Sequence, residues 1–322
     1  MTERPIPQRL VEAARRSADH RRPLTEPELR RRFGDPTTTD ITVGQVWRAR
    51  WEQLAGLVLV VHVGDREVEV VPVTIDPPIE DELSVVVDGA STAFGVDATA
   101  WNGLRSAIPI RVLDRPIDDW GAAMAEAVVA AERDRTWATE VPIRPGQQID
   151  SDLNPDAMFR AELTDNVHDL ASVSMLPASK DTDEQQTTTL RMLLANRLNL
   201  GLLCTTLNMR QPLVMRLLNG KLPLKPAQLD LVAAATKLPV DVIRASVHPL
   251  PYGLAIAAEH PRWRPNWTQR ANDLGLSEAE AQLEGAYGVF ATAARQTGSN
   301  EPDWHARLRH YFQDTSSNPG GT

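Results

Sequence analysis

The residues with the clearest chemical reach lie between positions 189 and 245. Gln211, Pro212, Met215 and Arg216 fall on one side of a short helical run. A glutamine amide and a guanidinium so placed can hydrogen-bond the edges of adenine and guanine. Arg210, Lys221 and Lys225 flank that run and suit phosphate contacts, which position a protein on a duplex without reading sequence. A second candidate is the hydroxyl of Thr74, at the end of Val71-Pro72-Val73-Thr74. It could serve phosphodiester cleavage only with a guanidinium fixed beside the developing charge. A third is the alternation Asp150, Asp152, Asn154, Asp156, the spacing of a calcium loop. Pro155 and Ala161 stand where such a loop needs glycine and glutamate, so calcium is not expected.

No other pattern carries chemistry. His20, His62, His168, His248, His260, His305 and His310 never approach an HExxH or a clustered ligand spacing. Walker, GxGxxG, GxSxG and CxxC motifs are absent from the sequence. The single cysteine, Cys204, excludes an internal disulfide and a four-cysteine zinc site. The expectation is a protein with no catalytic residue, no metal and no cofactor. There is no run of eighteen apolar residues and no leader pattern, so a cytoplasmic location away from membranes is expected.

Charge supports the first candidate locally. Residues 190 to 245 hold Arg191, Arg197, Arg210, Arg216, Lys221, Lys225, Lys237 and Arg244 against Asp230 and Asp241, a local charge of +6 in a chain of net charge -9. A basic module beside acidic neighbours fits a nucleic-acid reader, although a solvated helical face has the same composition.

The elements that would position these residues follow from periodicity. Residues 1–38 read as a basic helical arm, with Arg30 to Arg32 in its second segment, suited to docking or to DNA contact. From Asp40 the period becomes strand-like. Trp47, Ala49 and Trp51 alternate with arginines, Leu57 to Val61 is a continuous apolar run, and Gly64-Asp65 turns the chain toward Val68 to Thr74. Ser84 to Val87 and Ile108 to Leu113 are further strands. Asp118 or Asp119 can cap a helix presenting Trp120, Met124, Ala127, Val128 and Ala131. Residues 157–170 suit another helix, and Lys180 to Thr189 is a polar linker. Beyond the basic module, Tyr252 to Glu259 and Glu278 to Arg295 read as helices. Trp263, Trp267 and Trp304 are expected in their core.

Within 189–245, Leu190, Leu193, Leu194 and Leu198 mark one amphipathic helix and Leu202, Leu203 and Leu207 a second. Asn208 suits a left-handed turn position and Met209 can plug the angle that follows. Val214 and Leu217 form the inward side of a third helix, closed by Asn219-Gly220. The run LCTTLNMRQPLVMRLLNGKLPL resembles the helix-turn-helix core of phage-repressor-type (Cro/repressor, XRE-like) regulators, which are five-helix DNA-binding domains. The resemblance implies that Cys204 is a small packed residue. It also implies that Leu229, Leu231, Val232, Ala235, Leu238, Val240 and Ile243 fill two further helices. Leu200, Leu213 and Leu218 depart from the family pattern. Leu213 and Leu218 could instead form a contact surface for a protein partner.

More weakly, GQVWRARWEQLAGLVLVVHVGDREVEVVPVT resembles the opening of MazF/PemK-type toxins, SH3-like barrels that cleave RNA. The resemblance implies a barrel over about 40–117, with Thr74 at the hydroxyl position. Ala55-Gly56 replaces the arginine-proline of active members, leaving Arg48 or Arg50 as the only substitutes. A platform for binding or oligomerisation, without nuclease activity, is therefore expected.

Together these readings give a multidomain α+β chain: an N-terminal β-rich SH3-like barrel, an all-α helix-turn-helix domain and a helical C-terminal region. Its parts are the arm at 1–38, the barrel-like domain with covering helix at 39–140 and a connecting region at 141–188. The helix-turn-helix domain follows at 189–245, a helical region at 246–315 and a disordered tail at 316–322. The expected function is a sequence-specific transcriptional regulator binding double-stranded DNA as a homodimer, linked to toxin-antitoxin or phage-related control. The alternatives are a protein-binding adaptor and a MazF-like ribonuclease.

Overall fold

The computed structural model describes residues 27, 30–31, 34–75, 79–131, 141–147, 155–180, 189–195, 197, 199–293 and 302–317. Most of the N-terminal arm, the calcium-like spacing before Pro155, the acidic-polar run 181–188 and Leu198 lie outside them.

The N-terminal part is an eight-stranded sheet flanked by two helices. Its strands are β1 (Gln45–Trp51), β2 (Leu54–Val63), β3 (Glu67–Thr74), β4 (Val85–Val87), β5 (Ala98–Ala100), β6 (Ser106–Pro109), β7 (Leu113–Asp119) and β8 (Ile143–Pro145). Helix α1 (Ala122–Ala130) precedes β8 and α2 (Pro155–Ala171) follows it. The strand order is β7-β1-β2-β3-β5-β4-β8, with β6 paired to β3 off this path. Strands β7 and β8 stand at opposite ends and do not pair. The sheet is open, which overturns the expected SH3-like barrel and with it the resemblance to the MazF/PemK toxins.

The reason lies in how the two faces of the sheet are covered. A small barrel has one interior, so its strands alternate between packed and wet residues. Here Val58, Leu59 and Val60 of β2 are all buried, as are Val70, Val71 and Val73 of β3. A strand that is apolar on both sides needs a cover on both faces. Val46, Leu59, Val71, Val73 and Val85 pack on one face with Met124, Ala125 and Val128 of α1. Trp47, Ala49, Val58, Val60, Val68 and Ile108 pack on the other, where Leu170 of α2 joins them. The connecting region of the sequence reading thus supplies an edge strand and the second covering helix. Asp118 and Asp119 belong to β7 rather than capping α1. Asp118 accepts from the Trp120 indole at 2.8 Å and Asp119 from the Gly121 amide at 3.0 Å.

The helical part begins after β9 (Ala178–Ser179). Five short helices follow: α3 (Leu190–Leu194), α4 (Leu200–Leu207), α5 (Gln211–Leu218), α6 (Pro226–Thr236) and α7 (Val240–Ala245). They share one core, including Leu194, Leu203, Leu207, Val214, Leu217, Val232 and Ile243. Strand β10 (Leu250–Pro251) then pairs in parallel with β9, Leu250 opposite Ala178 and Pro251 opposite Ser179. The Leu190 amide also donates to Ser246 O at 2.8 Å. The five-helix unit is therefore an excursion whose two ends are brought back together.

A C-terminal bundle completes the chain: α8 (Tyr252–Glu259), α9 (Arg264–Leu274), α10 (Glu278–Ala293) and α11 (Trp304–Ser317). Trp267 and Trp304 are in its core and Trp263 packs against it. A side-chain carbon on Gly285 would lie 2.3 Å from the Trp267 ring, so glycine there permits the approach of α9 and α10. Helix α11 takes in Ser316 and Ser317, the first residues of the expected tail, and 318–322 lie outside the described residues.

Two arginines, Arg66 and Arg264, join bundle to sheet domain. Arg66 grips Glu259 through two bonds of 2.6 and 2.7 Å and donates to Leu176 O at 2.6 Å, while the Leu176 amide donates to Glu259. Arg264 donates to Val112 O at 2.7 Å and Arg50 O at 2.6 Å and pairs with Glu278 at 2.8 Å. Arg111 donates to Ser174 O, and its guanidinium lies 4.7 Å from the centroid of the Trp51 ring. Burial pulls the Arg111 guanidinium down to about 10, still charged at neutral pH.

Candidate nucleic-acid interface

Helices α4 and α5 are joined by a tight, specific turn. Asn199 caps α4, its side chain accepting from the Leu202 amide at 2.7 Å. Asn208 closes it in the left-handed region, φ 49° and ψ 45°. The Asn208 amide donates to Thr205 O and the Met209 amide to Cys204 O, which satisfies two terminal carbonyls. Asparagine tolerates this conformation because its short polar side chain lowers the cost that a branched one would meet. Met209 then packs against the core, and its sulfur accepts from Gln228 Nε2 at 3.4 Å. Cys204 is half-buried beside the same core.

Helix α5 turns Val214 and Leu217 inward and leaves Gln211, Pro212 and Arg216 exposed, with Met215 half-buried between them. Arg210 stands at its N-cap without a side-chain cap, and Pro212 lies within the first turn. Within that turn Pro212 carries no N–H and the Leu213 amide donates to Arg210 O at 3.0 Å, which leaves the Gln211 amide beside the exposed Arg210 guanidinium. At the other end Gly220, with φ +68°, donates to Leu217 O while Lys221 donates to Arg216 O. This pair of bonds ends the helix and leaves the Lys221 side chain exposed.

Of the eight cations in the unit, Arg244 pairs with Asp241 at 2.7 Å and Lys225 with Glu284 at 2.8 Å. Arg191, Arg197, Arg210, Arg216, Lys221 and Lys237 are exposed and make no ion pair among the described residues. Lys225 is half-buried at the N-cap of α6 and also lies 3.8 Å from Glu280. The Glu280 carboxyl is held below its usual range, first by the Ser277 amide and then by the Ser277 hydroxyl and Lys225. Sequence reading did not single out Glu280 and Glu284. Their four-residue spacing on α10 was visible, but their partner is distant in sequence. Leu213 is 37% exposed, whereas Leu218 is half-buried and packs against the unit's own core.

The ribonuclease candidate is not assembled. The Thr74 hydroxyl accepts from the Trp101 indole at 2.9 Å, on the face covered by α2, where Trp101 meets Phe159. Arg48 and Arg50 lie out of phase with Trp47 and Ala49, so they point to the opposite face, where both pair with Asp114. Neither guanidinium stands beside Thr74.

Among the described residues no three histidine, cysteine, aspartate or glutamate side chains converge as metal ligands. No helix among them is long and apolar enough to cross a membrane. Searches of family models and of curated proteins return no match to this chain.

Proposed function

We propose that this chain is a sequence-specific reader of double-stranded DNA that regulates transcription. In this reading α5 enters the major groove, Gln211, Met215 and Arg216 contact base edges, and Arg210 and Lys221 hold phosphates. The observation that carries it is the pairing of a left-handed Asn208 turn with a short helix whose first turn is exposed, free of acidic residues and headed by Arg210. Six exposed cations of the five-helix unit, without an ion pair among the described residues, would supply the sequence-independent attraction. The open sheet and the bundle then serve as a rigid mount rather than as a second nucleic-acid site.

The test is selection of bound duplexes from a random pool, followed by titration at several salt concentrations. Arg216→Ala is expected to cost about 1–3 kcal/mol on the selected site and to relax preference at one base pair. Lys221→Ala is expected to weaken all duplexes alike and to lower the salt slope by about one. Folded protein that binds no duplex at low salt overturns the reading. A palindromic site with half-sites about 34 Å apart would add a symmetric dimer. The exposure of Leu213 favours a second reading, a protein partner on the same helix. It requires that Leu213→Asp abolish a stoichiometric protein complex.

A further inference from the structure

The seam between the five-helix unit and the C-terminal bundle runs along one stripe of α10. Glu280, Glu284 and Tyr287 follow one another at helical spacing, and Phe290 continues the line. Glu284 and Glu280 hold the Lys225 ammonium. The Tyr287 hydroxyl donates to His248 O at 2.5 Å, and the Phe290 ring lies 5.7 Å from the His248 ring. His248 in turn fills the space beside Gly220, where an added side-chain carbon would come within 2.6 Å of its Cβ. Among the described residues, Val247 is the one hydrophobic side chain packed against both cores. The seam is therefore thin in apolar contact, and an ion pair stands at one end of it.

That ion pair adjoins the interface proposed above. The Lys225 amide donates to the Gln228 side chain at 3.0 Å, and Gln228 reaches Met209, the residue before Arg210. A lysine at a helix N-terminus opposes the macrodipole and makes no cap, so its charge calls for an anion from outside the helix. The α10 carboxylates supply that anion here, and a duplex phosphate has the charge to do the same.

We infer that Glu280 and Glu284 form an acidic latch that occupies Lys225 in the DNA-free protein and competes with a duplex phosphate for it. This rests on the DNA-binding reading and assigns the regulation of that same interface. While latched, Lys225 is neutralised and two carboxylates stand near the phosphate track. Any event that draws α10 away, or neutralises its carboxylates, frees one cation and removes two repulsive charges.

The experiment compares four full-length proteins on the duplex selected above. They are the natural chain, Glu280→Gln/Glu284→Gln, Lys225→Gln and the triple variant, each checked for folding by circular dichroism. The double variant is expected to bind about three- to tenfold tighter, with a salt slope steeper by about 0.9. Lys225→Gln is expected to change little in the natural background and to remove most of the gain in the double variant. Unchanged affinity in the double variant, or an equal loss from Lys225→Gln in both backgrounds, overturns the latch and leaves the DNA reading standing. If none of the four folded proteins binds any duplex, the DNA reading falls and the latch with it.

Discussion

Arg66 and Glu259 form the most buried ion pair between sheet and bundle, the carboxylate side chain being 1% exposed. Every charge in it is matched: the guanidinium also reaches Leu176 O, and the carboxylate also takes the Leu176 amide. A pair this deep gains little over an apolar substitute, because desolvation offsets attraction, but a broken pair leaves a charge stranded. Arg66→Met is therefore expected to destabilise the protein by about 3–5 kcal/mol, measured by urea denaturation. Arg66→Met/Glu259→Met is expected to recover most of that loss. A double variant no more stable than the single one would show that the interface depends on something other than matched charge.

At the scale of elements, the α4–α5 turn shows how local chemistry sets geometry. Asn208→Gly is expected to change stability by no more than a few tenths of a kcal/mol, since glycine adopts the same left-handed backbone freely. Asn208→Val is expected to cost about 1–2 kcal/mol, because a branched side chain crowds the following carbonyl there. Thermal melting of the two variants side by side checks the contrast, and equal losses would mean that the Asn208 side chain itself matters. This turn was legible in advance. Leucine spacing, an asparagine at the break and a glycine at the close placed α4 and α5 within a residue or two. In the sheet, β1, β2 and β3 were equally legible as runs, but their closure was not. Alternation within one strand cannot report how many faces the other elements will cover, and the cover on β2 comes from α1 and from α2, far along the chain.

At the scale of the molecule, His260 lies where the bundle meets the start of the sheet domain. Its Nδ1 accepts from both the amide and Nε of Arg262, and Arg262 pairs with Asp40. Burial lowers the imidazole to about 4, helped by Arg262 and His305, from an ordinary 6.5. As pH falls, the unfolded chain takes up this proton first, near 6.5, and the folded chain only near 4. The folded state thus binds fewer protons across that window, and its stability falls as pH is lowered through it. A loss on the order of 2–3 kcal/mol between pH 6.5 and 4 is expected from this group, and denaturation midpoints at pH 7, 5.5 and 4 measure it. His260→Gln is expected to flatten that part of the profile. An unchanged slope in the variant would assign the pH dependence elsewhere.

The candidate reading helix illustrates the same division between sequence and tertiary structure. Periodicity, turn residues and local charge determined by themselves that residues 189 to 245 would form short packed helices with Gln211 and Arg216 outward. Those features depend on neighbours within a turn or two, where side-chain spacing and backbone preference act directly. Tertiary structure alone decided that the sheet is open, that Thr74 faces away from Arg48 and Arg50, and that Lys225 meets carboxylates from α10. These depend on which distant elements cover a face or close a seam, and burial and charge pairing across such distances leave no periodic mark along the chain.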